Sequence, residues 1–148
     1  MGFFKDLKNK VTGGAATVHV QVPSARRGQA VAVNVQATAK ANGKVNAVYL
    51  LVRGTETCEV KDNDHQDAKM KDEKVRGRKI SFENRITIAG AQEIKEGQTY
   101  NWEGVLELPS NVNPSFNGTM IDHEWELQAG LDMAGNDPDS GWQTFQVS

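Results

Sequence analysis

Ile121-Asp122-His123-Glu124-Trp125-Glu126-Leu127-Gln128-Ala129-Gly130-Leu131-Asp132-Met133 decides the fold. Ile121, His123, Trp125, Leu127, Ala129, Leu131 and Met133 share one parity, and Asp122, Glu124, Glu126, Gln128, Gly130 and Asp132 share the other. Neighbouring side chains of a strand point to opposite faces, so the pattern predicts a half-buried strand with one wet face. At about 3.3 Å per residue it reaches roughly 40 Å. Shorter strands can register along all of it.

Working outward, Tyr100, Trp102, Gly104, Leu106 and Leu108 make a second alternating strand, with Glu103 and Glu107 opposite and Pro109 ending it. The Pro-, Asn- and Ser-rich stretch from Pro109 to Met120 reads as a loop. Trp142–Val147 closes the chain after the AGNDPDSG turn, with Phe145 and Val147 on one parity and Trp142 on the other. Nearer the start, Val18, Val20 and Val22 alternate with His19 and Gln21, and Val31, Val33, Val35 and Ala37 mark the next strand. Asn42-Gly43 favours a type I′ turn and predicts a tight hairpin into Val45–Arg53. That second arm is apolar on both faces and is expected to be central and covered outside. Lys61–Lys79 is dense in charge and reads as a solvated loop or a hairpin projecting past the sheet edge. Ile80, Phe82, Ile86 and Ile88 mark a further strand, Asn84 breaks its parity, and Ala89–Gly97 is a connection. Seven or eight strands with turns between them make an all-β, two-sheet antiparallel sandwich.

Residues 2–11, GFFKDLKNKV, gather Phe3, Phe4, Leu7 and Val11 on one side of a short helix, with lysines around the rest. Gly13-Gly14 interrupts it. The expected division is an amphipathic segment, residues 1–16, ahead of one sandwich domain, residues 17–148. A short capping helix is one reading of the segment, and an interfacial anchor with Phe3, Phe4 and Leu7 in lipid is the other.

At 148 residues the chain can bury a self-supporting core. Its net charge of −2 and lack of a long single-sign run give no electrostatic footprint for nucleic acid. Cys58 stands alone, which rules out an internal disulfide and fits a reducing, cytoplasmic setting. No apolar run approaches the roughly 18 residues of a membrane span. Lys5-Asp6 cuts short any signal-peptide core after Phe3-Phe4, and Asp6 occupies the position where myristoylation needs Ser or Thr.

The run from Leu106 onward resembles a known fold. Leu106-Glu107-Leu108-Pro109, then Asn113-Pro114-Ser115-Phe116-Asn117-Gly118, then Leu127-Gln128-Ala129-Gly130-Leu131-Asp132 is similar to the arrestin-like domain, and more narrowly to bacterial sporulation-control proteins. Met1-Gly2-Phe3-Phe4-Lys5, and Gly28-Gln29 ahead of Val31, Val33 and Val35, agree with it. Two positions depart: Arg27 stands where the family usually has Pro, and Trp125 where Tyr often sits. The resemblance implies an immunoglobulin-like sandwich and a non-catalytic scaffold or adaptor role. Arrestins carry two such domains and this chain has room for one, so functions of an interdomain cleft are not carried over.

His19, His65 and His123 are scattered, and none is spaced to pair with Cys58 as a nucleophile. His123 reads as a histidine at one end of the sandwich with its nitrogens satisfied by backbone. Asp132, Asp137 and Asp139 with Asn136, or Asp62, Asp64 and Asp67, offer oxygens, but neither set has the glycine and terminal glutamate of an EF-hand. The expectation is no enzyme, no cofactor and no metal site. Protein partners, a second copy among them, are expected on edge strands and loops, with weak membrane contact as the alternative. The contact residues expected are Phe3, Phe4, Leu7, Lys69, Lys71, Lys74 and Trp142.

Overall fold

The computed structural model describes residues 14–62 and 73–148. The N-terminal helix expected over residues 2–11 therefore lies outside the described residues, as do Phe3, Phe4, Leu7, Lys69 and Lys71. Among the described residues nine strands follow in order: β1 (Ala16–Gln21), β2 (Ala30–Ala39), β3 (Gly43–Asp62), β4 (Glu73–Ala89), β5 (Gln92–Ile94), β6 (Thr99–Glu107), β7 (Phe116–Asn117), β8 (Ile121–Met133) and β9 (Gln143–Phe145). They form two antiparallel sheets. One runs β1-β2-β6, and the other runs β4-β3-β8-β7, with β5 added to β3 and β9 to β8.

The long alternating stretch is β8, as its parity requires. His123, Trp125, Leu127, Ala129 and Leu131 are buried. Ile121, expected inside, is instead 48% exposed, because β8 starts beyond the end of the facing sheet. The organising strand turns out to be β3, which pairs with β4, β5 and β8 over 20 residues. Its Val45, Val48, Leu50 and Val52 meet Val33, Val35 and Leu106 of the other sheet in one core. Each such side chain contributes about 1.5–3 kcal/mol when fully buried.

β3 is covered outside, as its two apolar faces predicted. Tyr49 lies over Gly130, where any Cβ would strike its ring, and its hydroxyl donates to Asp137 Oδ2 at 2.9 Å. The Arg85 guanidinium sits 4.0 Å from the centre of the same ring. Glycine serves likewise at Gly104 of β6, where the missing side chain admits Ile88 from β4.

Three expectations need correction. Asn42-Gly43 makes no β2–β3 hairpin, since these strands belong to different sheets. The edges of β2 are already taken: Ala39 N donates to Gln98 O at 2.9 Å and Lys40 N to Ala15 O at 2.8 Å. Asn42 Oδ1 instead accepts from Glu96 N at 2.9 Å, and Gly43 starts β3 without a positive φ. Secondly, the loop reading of Lys61–Lys79 gives way to the hairpin reading, because the β3–β4 ladder runs out to the Asp62–Glu73 pair. Thirdly, Ile80 does not share the face of Phe82 and Ile86. A bulge places Gly54 opposite Phe82 and Thr55 opposite Ile80, leaving Ser81 unpaired and turning Ile80 outward. An extra residue in one strand reverses the parity beyond it. The two stretches expected as connections also hold short strands, β5 and β7.

The departure at Arg27 has a local reason. Its N–H donates to Ser148 O at 3.0 Å, a bond proline lacks the hydrogen to make. Gly28 follows at φ 72, where glycine is the unstrained choice.

Candidate functional site

Beyond the Gly54–Ser81 bulge the β3–β4 hairpin outruns the rest of the fold. β8 follows β3 only as far as the Cys58–Ile121 pair, Glu59 N still donates to Met120 O at 2.8 Å, and beyond that the rungs pair only with each other among the described residues. The register there is unbroken from Thr55–Ile80 to Asp62–Glu73. Strand periodicity sorts the charged stretch onto faces. Lys74, Arg76 and Arg78 of β4 alternate onto the outer face, beside Lys61, Glu59 and Thr57 of β3. Glu59 is shared by Lys74 at 3.8 Å and Arg76 at 3.6 Å, both long contacts between exposed groups. Such pairs contribute little, about 0–1 kcal/mol. Lys61 stands directly opposite Lys74, a like-charge pair that weakens a ladder. The inner face of the same rungs carries Val60 and Val75, 41% and 62% exposed.

Of the expected contact residues, Lys74 therefore stands in a basic row, and Arg76, Arg78 and Lys61 join it. The signal for that row was the spacing 74, 76, 78, which is strand spacing. Trp142 lies elsewhere, 37% exposed, with the Arg53 guanidinium 4.1 Å from its ring centre. Arg53 also pairs with Glu126 at 2.8 Å. Between these two places the outer face holds an open hollow of about 590 Å³, lined by Thr55, Thr57, Arg78, Asp122, Glu124 and Thr144 among others.

The bulge organises a polar clasp. His123 of β8 reaches across Gly54 to Ser81 of β4, with Nε2 and Oγ 2.6 Å apart, and Ser81 Oγ is 3.2 Å from Gly54 O. A Cβ on Gly54 would crowd both partners at 3.1 Å. Both contacts are satisfied together only when Ser81 donates to the carbonyl and accepts from Nε2–H. In that arrangement the imidazole holds its proton toward the serine, so it does not activate the hydroxyl as a base. Nδ1 is left buried without a partner among the described residues. His123 is thus buried at the sandwich end, but its contact is a side chain rather than the expected backbone.

The acids of the 132–139 turn are spent on their own loop and on Tyr49 and Arg85 of the adjoining strands. Asp137 accepts from Tyr49 Oη and from Met133 N at 3.1 Å, and Asp139 accepts from Gly141 N at 2.8 Å. Asp132 meets Arg85 at 3.8 Å. Burial, and then the hydrogen bond to Asp137, push the Tyr49 hydroxyl well above its ordinary pKa. No group of three His, Cys, Asp or Glu among the described residues is placed to hold a metal ion. Cys58 is half-buried opposite Gly77 and Ile121.

The architecture matches a known one. It aligns with the crystal structure of Spo0M, a sporulation control protein from Bacillus subtilis, at a TM-score of 0.62 and 18% identity. The fold is the arrestin-like β-sandwich. The alignment takes in 91% of this chain and 50% of Spo0M, so the chain spans about half the length of that protein. No protein-family model matches the chain, and no curated protein matches it in sequence. Among the described residues no helix is long and apolar enough to cross a membrane.

Proposed function

We propose that the chain is a non-catalytic regulatory adaptor of the cytoplasm that holds protein partners through its projecting β3–β4 hairpin. The observation that carries this reading is the hairpin itself. Its distal rungs keep a regular ladder, carry exposed valines on one face and bases on the other, and contribute nothing to the core. Exposed apolar groups on an ordered edge are what an interaction surface needs and what an isolated fold avoids. The control role in the name of Spo0M is consistent with a regulatory use of the fold. The Ser81–His123 contact lends no support to a catalytic alternative, because it is arranged as a structural clasp.

Affinity purification of the full chain from its own cytoplasm, with gentle cross-linking, tests the proposal. A small reproducible set of proteins, diminished by Val60→Asp with Val75→Asp, supports it. Co-purifying lipid without any protein would overturn it and shift attention to Phe3, Phe4 and Leu7.

A further inference from the structure

We propose that the free edge of β4, from Lys74 to Ile80, takes up an extended acidic segment of a partner protein as an added strand. This rests on the adaptor reading and gives it a site and a partner chemistry. Among the described residues β4 ends its sheet, so alternate backbone N–H and C=O groups of this stretch face away from β3 with no described strand beyond them. The stretch is regular, lying wholly on the distal side of the Ser81 bulge. A strand added there extends an existing ladder without rearranging it.

The two faces of the edge fix the side chains such a segment needs. On the outer face Lys74, Arg76 and Arg78 lie in one row, with side chains of Lys74 and Arg76 51% and 71% exposed. Glu59 alone faces them from β3, while Lys61 adds a further positive charge. On the inner face Val75 is open beside Val60. A neighbouring strand therefore meets a row of bases ending at Ile80 on the outer face, and Val75, Gly77 and Lys79, the last opposite Glu56, on the inner face. Alternating acidic and apolar residues satisfy both, with backbone bonds giving affinity and alternate side chains giving specificity.

Bases on an edge also serve to keep like edges apart. Antiparallel pairing of two β4 edges about a two-fold axis keeps outer face beside outer face, setting bases next to bases. The row thus rejects a second copy and admits an acidic strand. The two edges of the other sheet lack this character. β1 presents Thr17, His19 and Gln21 outward, and β6 presents Glu103 and Glu107.

The probe is a fluorescently labelled peptide of alternating Glu and Val, titrated with the full chain by polarisation at low and raised salt. Three results are expected. Binding weakens with salt. It falls on the order of tenfold or more in the Lys74→Glu, Arg76→Glu, Arg78→Glu variant, which in turn binds the Lys-Val counterpart. It is lost when alternate peptide nitrogens are methylated, because a strand cannot then pair. Equal binding of the methylated peptide, or of a block peptide with all Glu at one end, overturns strand addition. Undiminished binding by the variant overturns the site, and so does wild-type binding only to phosphatidylserine vesicles. If the triple variant misfolds by circular dichroism, Arg76→Glu alone carries the same test at smaller effect. The two proposals fail separately. Proteins captured from cytoplasm equally by wild type and the charge-reversed variant leave the adaptor reading standing and remove this site.

Discussion

β3 is one strand with two lives. From Val45 to Gly54 its inward side chains Val45, Val48, Leu50 and Val52 are wholly buried. From Thr55 to Asp62 the same strand, with the same partner β4, leaves Val60 41% exposed. The break falls at Gly54 and Ser81, where a bulge and a glycine coincide. The difference teaches that strand and core are separate achievements of this sequence. Cross-strand pairing carries β3 and β4 outward after the facing sheet has ended, and what it builds there is surface.

Mutation sharpens the contrast. Trp125→Ala, in the buried half, removes a ring packed against Phe82, His123 and Phe145 and a donor to Asn113 O at 2.8 Å. It is expected to cost about 3–5 kcal/mol in urea unfolding. At the boundary, Ser81→Ala strips His123 Nε2 of its partner and is expected to cost about 1–3 kcal/mol. A cost near zero would show that the clasp contributes no stability. Beyond the boundary, Val75→Thr is expected to change stability by no more than about 0.5 kcal/mol. A distal change as costly as the Trp125 one would dissolve the distinction between the two halves.

A pH experiment probes the covered outer face of the buried half. Unfolded tyrosine ionises near pH 10, whereas folded Tyr49 stays protonated to higher pH. The unfolded state then holds fewer protons, so stability present below pH 10 declines as pH rises above it. Tyr49→Phe is expected to lose about 1 kcal/mol at neutral pH, from the bond to Asp137, and to fall less steeply above pH 10. Parallel curves for the two proteins would contradict the assignment.

The buried half was the more legible in sequence. The parity of β8 and of β2 could be read because one face is buried and the other wet, and a single residue of slip would exchange them. The Leu106-to-Asp132 succession pointed to the arrestin-like fold. The bulge was not legible, because Ser81 is surplus only relative to a partner strand that the local pattern does not name. Asn42-Gly43 misled for a similar reason: its turn preference is local, while the partners of β2 are distant in sequence. The charged hairpin arms looked like loop because outward-facing strand residues free of a core carry any polar side chain. Their alternation at 74, 76 and 78 was the trace of a strand.

Hydrogen exchange read residue by residue on the full chain, with and without saturating Glu-Val peptide, tests the central claim most directly. The free chain is expected to protect Val48, Leu50 and Val52 far more than Cys58, Val60 and Val75, since local opening costs least where little is buried. Peptide should then slow exchange from Lys74 to Ile80 and leave β2 unchanged. Slowing confined to β1 or β6, or no slowing at all, would contradict the account of β4 as a docking edge.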